Sequence, residues 1–129
     1  MYELTEADRV WNRACMERGG TNPQPGDSAL AALLQVHGLT MNGGVLHSVE
    51  SLSLQELECA KSGYRFFGLD AVAELVARAQ AAAKVGQDLE SQEGLLNGEY
   101  AELIPDDSYL VSRFEEHFRT RPSDFAPLC

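Results

Sequence analysis

Three histidines and three cysteines are the side chains of this sequence that could bind a metal or act as nucleophiles. The histidines, His37, His47 and His117, are far apart in the chain and form no H-x-x-x-H or E-x-x-H pattern, the spacings that place metal ligands on one helix face. Since His37 and His117 lie on apolar faces of predicted helices, we expect hydrogen-bonded core residues there. We predict no metal and no cofactor, and a metal enzyme or hydrolase built on these histidines is the least favoured alternative.

The cysteines give little support for nucleophilic catalysis. Cys59 follows Glu58 and has no predicted basic partner to activate its thiol, so we expect it to pack inertly. With Cys15 and Cys129 it makes an odd, unclustered set, which is typical of reduced thiols and not of a disulfide framework. The sequence also lacks the G-x-x-x-x-G-K-[ST], G-x-G-x-x-G and G-x-S-x-G motifs. We therefore predict no catalytic residues.

Carboxylates are the remaining candidates, and they are unevenly distributed. The 129 residues contain 20 acidic and 10 basic side chains, a net charge of −10. Residues 88–124 alone hold ten acids and three bases, a net charge of −7. Such a charge repels nucleic acids and anionic membrane surfaces and attracts basic proteins. The charge therefore predicts a basic protein partner, with no direct binding of nucleic acid or membrane.

Most of these acids have no base one helical turn away, so their mutual repulsion is not compensated locally. Residues four apart on a helix are separated by about 6 Å along its axis, a spacing that roughly imitates consecutive DNA phosphates. Glu99, Glu102 and Asp106 come near this spacing. A solvated face that only keeps the protein soluble fits the same residues. The predicted partner-binding acids are Glu90, Glu93, Glu99, Glu102, Asp106, Asp107 and Glu116.

The elements that position these side chains are predicted to be helices. Apolar residues recur at helical spacing between Gly and Pro breaks, and strand-type alternation is nearly absent, which indicates an all-α fold of six or seven helices in a single domain, residues 1–129. A helix capped by Asp27 or Ser28 carries Leu30 to His37, and residues 87–94 form a polar linker. The other predicted helices are 7–18, 45–50, 54–67, 69–85, 95–104 and 106–120.

The stretch Met41-Asn42-Gly43-Gly44 interrupts this helical pattern. Asn and Gly reach positive φ at low cost, so we predict a structural turn at Asn42, Gly43 and Gly44 between two packed helices. Backbone N–H groups there could bind an anion, but no basic residue lies near in sequence. A steric requirement for a tight turn is the favoured interpretation.

With this turn between two helices, the chain resembles the all-helical domain of the bacterial DNA-mimic protein family, which is also widely catalogued as a domain of unknown function. The resemblance covers roughly residues 28–128, with residues 1–27 as an additional N-terminal helix and loop. It depends on the Asn-Gly-Gly turn, on Phe67-Gly68-Leu69 before an Ala-rich helix, and on the late segment Leu96-Asn97-Gly98-Glu99-Tyr100. The resemblance implies surface acids that occupy the DNA-binding surface of another protein.

The leading hypothesis is a non-catalytic acidic protein-interaction module, in its sharpest form a DNA mimic that occupies the basic surface of a DNA-binding protein. The alternative is an immunity- or antitoxin-like protein that neutralises one cognate partner through a shape-specific interface. A cytoplasmic location is expected, because the acidic start Met1–Glu6 has no h-region and no apolar run approaches the ~18–20 residues of a membrane span. Monomer and homodimer both remain open.

Overall fold

The regular structure of the protein is helical. A computed structural model describes residues 3–128. This part contains seven α-helices, one 3₁₀ turn (Pro122–Asp124) and no strand, which confirms the predicted all-α class. None of the helices in it is both long and apolar enough to cross a membrane. The helices are α1 (Glu6–Glu17), α2 (Pro25–Gly43), α3 (Val45–Ser51), α4 (Leu54–Phe66), α5 (Asp70–Val85), α6 (Leu89–Leu103) and α7 (Asp107–Thr120).

Capping residues start several helices where the sequence predicts. Ser53 Oγ accepts the Glu56 N–H at 3.1 Å, and the Glu56 carboxylate accepts the Ser53 N–H at 2.9 Å. Hydrogen bonding of the Glu56 carboxylate to the Ser53 backbone N–H, and then to the Ser53 side chain, lowers the pKa of Glu56. Thr5 and Asp8 form the same reciprocal pair at the start of α1, and Asp106 accepts the Tyr109 N–H at the start of α7. Local sequence therefore determines these three starts.

The prediction that Asp27 or Ser28 caps α2 is wrong. The helix begins at Pro25, whose fixed φ suits the first helical position, and Gln24 precedes it in extended conformation. Asp27 acts from inside the first turn, where its carboxylate accepts the Gln24 N–H at 3.0 Å. A segment rich in Pro and Gly is thus a helix start and not only a loop.

The predicted linker 87–94 is also wrong over most of its length, because α6 begins at Leu89. Asp88 has positive φ (53°) and turns the chain into the helix. The Leu89 side chain packs against the core, which fixes a first turn that the polar composition does not suggest.

The turn after α2 is narrower than predicted. Asn42 and Gly43 belong to the last turn of α2, and only Gly44 has positive φ, at 99°. Asn97 of α6 completes the turn, because its Oδ1 accepts the Val45 N–H at 2.9 Å. A side chain at Gly44 would crowd Asn97, since a Cβ there would lie 3.1 Å from that amide. The α2–α3 turn is therefore built against α6.

The core forms around α2 and α4, which approach closely where Gly63 faces the Ala29 carbonyl. Tyr64, Leu30 and Leu33 are almost completely buried beside this contact. Phe125, from the segment after α7, packs edge-on against Phe114 with ring centroids 5.5 Å apart. The C-terminal segment thus closes the core from the side of α1 and α7.

Candidate functional site

The seven predicted partner-binding acids lie on α6, on α7 and at the junction between them. Glu99 is half-buried, and the other six are exposed. Glu90 and Glu93 lie in the first part of α6, and Glu102 in its last turn. Asp106 and Asp107 start α7, while Glu116 lies near its other end.

Two of these acids have internal partners that the sequence does not reveal. Glu99 pairs with Arg78 of α5 at 2.8 Å, and Asp107 pairs with His37 of α2 at 2.7 Å. Asp106 also has an internal contact, because its carboxylate accepts the Tyr109 N–H and caps α7. Glu90, Glu93, Glu102 and Glu116 form no ion pair with any residue between 3 and 128. These four are the candidates with the freest carboxylates.

The acids do not form one line along a helix. Glu93 and Glu102 are nine positions apart, which at about 100° per residue places them on opposite sides of α6. The helix ends at Leu103, and Ile104 has non-helical backbone, so Asp106 does not continue the spacing of Glu99 and Glu102. What the fold does bring together is the junction itself, where Glu102, Asp106 and Asp107 fall within six consecutive residues.

A buried chain of hydrogen bonds leads from this junction into the core. His37 Nε2 contacts the Asp107 carboxylate at 2.7 Å, and His37 Nδ1 contacts the Tyr100 hydroxyl, also at 2.7 Å. The Tyr100 hydroxyl lies 2.9 Å from that of Tyr64. Burial raises the pKa of both tyrosines above the ordinary value, so they remain protonated and serve as hydrogen-bond groups. The chain anchors α7 to α2, α4 and α6.

Cys15 lies in the same cavity as His37 and Asp107, a combination that the sequence did not indicate. The cavity has a volume of about 350 Å³ between α1, α2 and the start of α7. Both ring nitrogens of His37 are already hydrogen-bonded, so the imidazole has no free position for the thiol. Partial burial, and then the Asp107 carboxylate, raise the pKa of Cys15. The thiol is therefore not activated as a cysteine nucleophile would be.

The remaining candidate residues are dispersed. His117 Nε2 contacts Asp124 at 2.8 Å, and His47 is exposed next to Gly43. Within residues 3–128, no group of three or more His, Cys, Asp or Glu side chains is placed to hold a metal ion. Cys59 is exposed on α4, contrary to the expected packing, and Cys129 lies outside the described residues.

Further cavities lie in the surface, among them the following two. The first, about 430 Å³, is an apolar groove between α2 and α4 that includes Ala29, Gly63 and Phe66. The second, about 320 Å³, lies where α2 and α6 end, between Thr40–Gly44 and the segment from Asn97 to Pro105. The second cavity is adjacent in sequence to two of the junction acids, since Glu102 follows Ala101 and Asp106 follows Pro105.

Comparison of the chain with protein-family models, with curated proteins and with solved structures found no match.

Proposed function

We propose that this protein is a non-catalytic acidic interaction module that binds a basic protein surface of the kind that binds DNA. One observation supports the proposal above the others: residues 88–124 hold a net charge of −7, and seven of their ten acids are exposed without an ion pair to any described residue. Repulsion among them is left for an external cation to relieve. These acids are Asp88, Glu90, Glu93, Glu102, Asp106, Glu115 and Glu116.

The mechanism is electrostatic competition. Carboxylates take the places that phosphates occupy on the partner, and long-range attraction accelerates encounter and fixes orientation. Because exposed charges are screened beyond about 10 Å at 0.1 M ionic strength, binding weakens as salt rises. The same competition means that DNA and this protein exclude one another from the partner.

The test is affinity capture from lysate at low salt, followed by repetition with purified candidates in the presence of competing duplex DNA. We expect a DNA-binding protein whose capture falls steeply with salt and is displaced by DNA. The variant Glu90→Gln/Glu93→Gln/Glu102→Gln should lose most of the binding. The control Glu3→Gln/Glu50→Gln/Glu74→Gln removes the same charge elsewhere and should retain it. Capture that is insensitive to salt and to the first variant contradicts the proposal.

The apolar α2–α4 groove favours a second candidate, an immunity- or antitoxin-like protein that recognises one partner by shape. The groove has a volume of about 430 Å³ and a mostly apolar wall. It is lined by helices other than α6 and α7. Under this alternative the substitution Ser62→Trp, which fills the groove, abolishes binding, while the α6 variant leaves it largely intact. The two variants therefore distinguish the candidates.

A further inference from the structure

The hydrogen-bond chain from Asp107 to Tyr64 determines where the protons of His37 lie. An ionised carboxylate can only accept, so His37 Nε2 carries a proton and donates it to Asp107 across 2.7 Å. When the imidazole is neutral, Nδ1 carries no proton and accepts from the Tyr100 hydroxyl at 2.7 Å. The Tyr100 oxygen then accepts from the Tyr64 hydroxyl at 2.9 Å. Both ring nitrogens and both hydroxyls therefore have partners in the neutral state.

The same chain can hold a second proton on His37 if its direction reverses. Nδ1 then donates to the Tyr100 hydroxyl, and Tyr100 donates to Tyr64. The Tyr64 hydroxyl has a second acceptor in reach, the Leu33 carbonyl oxygen at 3.4 Å, and turns its proton to it. This oxygen has two lone pairs, so it can accept from Tyr64 and within α2 at once. Reversal therefore needs only the rotation of two hydroxyl hydrogens.

The groups that face the His37 ring suit a positive charge. Asp107 of α7 is in direct contact with it and supplies the opposite charge. On the sides of α4 and α6 stand the two tyrosines, which remain neutral because burial raises the pKa of each. From α1, Cys15 and Arg18 line the adjacent cavity. Burial also raises the pKa of the Cys15 thiol, so Arg18 is the charged group on that side. A buried charge needs a paired, hydrogen-bonded site, and this site provides one.

We infer that His37 is a proton switch for the acidic junction formed by Glu102, Asp106 and Asp107. Imidazole is the side chain that ordinarily changes charge between about pH 5 and 8. The Asp107 side chain is 76% exposed, so its charge acts on a partner while His37 is neutral and is cancelled when the imidazolium forms behind it. Acid therefore weakens the attraction of the junction for a basic protein. This regulation rests on the proposed function for the identity of the partner.

The coupling is reciprocal, because two ligands that compete for one charge must each weaken the binding of the other. A cation of the partner that lies against Asp107 opposes the second proton on His37, so binding in the switching range releases a proton. The structure thus connects a residue that is only 6% exposed with events at the surface of α7.

The first test uses the full chain alone. Long-range proton–nitrogen NMR spectra of the histidine side chains show which ring nitrogens carry protons. We expect His37 to carry a proton on Nε2 alone at about pH 8 and on both nitrogens at about pH 5, with the amide spectrum of the folded protein retained. A neutral ring protonated on Nδ1, a ring that stays neutral at about pH 5, or unfolding as the second proton binds would each overturn the inference.

The second test adds a blocked tri-arginine peptide at low salt as the probe for a basic surface. We expect the peptide to shift the titration of His37 to lower pH. His117 is the matched reference, since its Nε2 contacts Asp124 at 2.8 Å in a similar pair near the other end of α7, and its titration should shift less. Equal shifts at both histidines, or no shift at His37, would refute the coupling.

The affinity for the same peptide should be roughly fivefold weaker at about pH 5.5 than at about pH 7.5, the effect of about one unit charge in contact in water. His37→Gln should remove most of this pH dependence, and His117→Gln should keep it. If His37→Gln does not fold, the His37 spectra of the unaltered chain decide the question. A switch that works with the peptide, without salt-dependent capture of a protein, would refute the proposed function alone. Capture without any response of His37 would refute the switch alone.

Discussion

Asp27 has a completely buried carboxylate, and three segments of the chain meet at it. One oxygen accepts from Arg13 at 2.8 Å, and the other accepts the backbone N–H groups of Gln24 and Ala126 at 3.0 and 2.7 Å. Arg13 in turn donates to the Ala126 carbonyl at 2.9 Å. A buried charge is tolerated only when it is paired and hydrogen-bonded, and here that requirement joins α1, α2 and the segment after α7.

The substitution Asp27→Asn should therefore destabilise the protein by about 3 kcal/mol, because the mostly buried Arg13 loses its counter-charge while the shape of the site is kept. Urea unfolding monitored by circular dichroism measures the change. The control Glu74→Gln alters an exposed acid without an ion pair to any described residue and should be neutral. A loss below about 1 kcal/mol for Asp27→Asn would show that the pair is not essential.

The Tyr100 hydroxyl supports a second residue-scale prediction. It bridges His37 and Tyr64, so Tyr100→Phe leaves two buried polar groups each short of a partner, at a cost of about 1–3 kcal/mol. Tyr109→Phe is the matched control, since the Tyr109 phenol is 38% exposed and forms no hydrogen bond with residues 3–128. Thermal unfolding of both variants tests this prediction, and equal unfolding temperatures would disprove a structural role for this chain of hydrogen bonds.

At the level of residues, the sequence predicts the inventory of acids but not their partners. Glu99 has no base within a helical turn, yet the fold brings Arg78 to it from α5. Asp107 meets His37 across 70 positions of sequence. Helical spacing covers only neighbours within one turn, so a charge that is free by this criterion can still be paired in the fold.

At the level of elements, the predicted helix ends are correct where no tertiary contact overrides the local capping signal. The capping pair Ser53/Glu56 and the left-handed Gly86 at the end of α5 bound their helices as expected. The predictions for the starts of α2 and α6 are wrong for a different reason. Their composition is typical of loops, and tertiary contacts of Asp27 and Leu89 with distant segments hold those turns helical.

Glycines inside helices give a prediction with its own control. A Cβ at Gly63 would lie 2.3 Å from the Ala29 carbonyl oxygen, so Gly63→Ala must separate α2 from α4 and should cost roughly 3 kcal/mol or more. Gly98 lies inside α6 with nothing within 4 Å of such a Cβ. Gly98→Ala should stabilise the protein by about 0.5–1 kcal/mol through helix propensity. Chemical denaturation of both variants measures their free energies of unfolding, which should change in opposite directions. A Gly63→Ala variant as stable as the original protein would refute the close approach of α2 and α4.

At the scale of the whole molecule, charge and stability oppose one another. A protein with a net charge of −10 repels itself, and acids at the C-terminal end of a helix add an unfavourable interaction with its dipole. Glu102 occupies such a position in the last turn of α6 and has no ion pair within the described range. Under the proposed function, this local cost is relieved when a basic partner binds, whereas solubility alone can be achieved with charges at any exposed position.

We therefore expect Glu93→Gln/Glu102→Gln to raise the free energy of unfolding by a few tenths of a kcal/mol or more at low salt, because Glu102 opposes the dipole at the C-terminal end of α6 and Glu93 repels Glu90 one turn before it. Glu3→Gln/Glu74→Gln also changes the net charge from −10 to −8, but at acids outside the segment of net charge −7, and should change stability less. The difference between the two variants should shrink in 1 M salt, where screening reduces the Debye length to about 3 Å. Equal gains would assign the effect to net charge alone. A larger gain for the α6 pair means that its acids are held at a local cost, and such residues are the ones on which a basic partner gains most by binding.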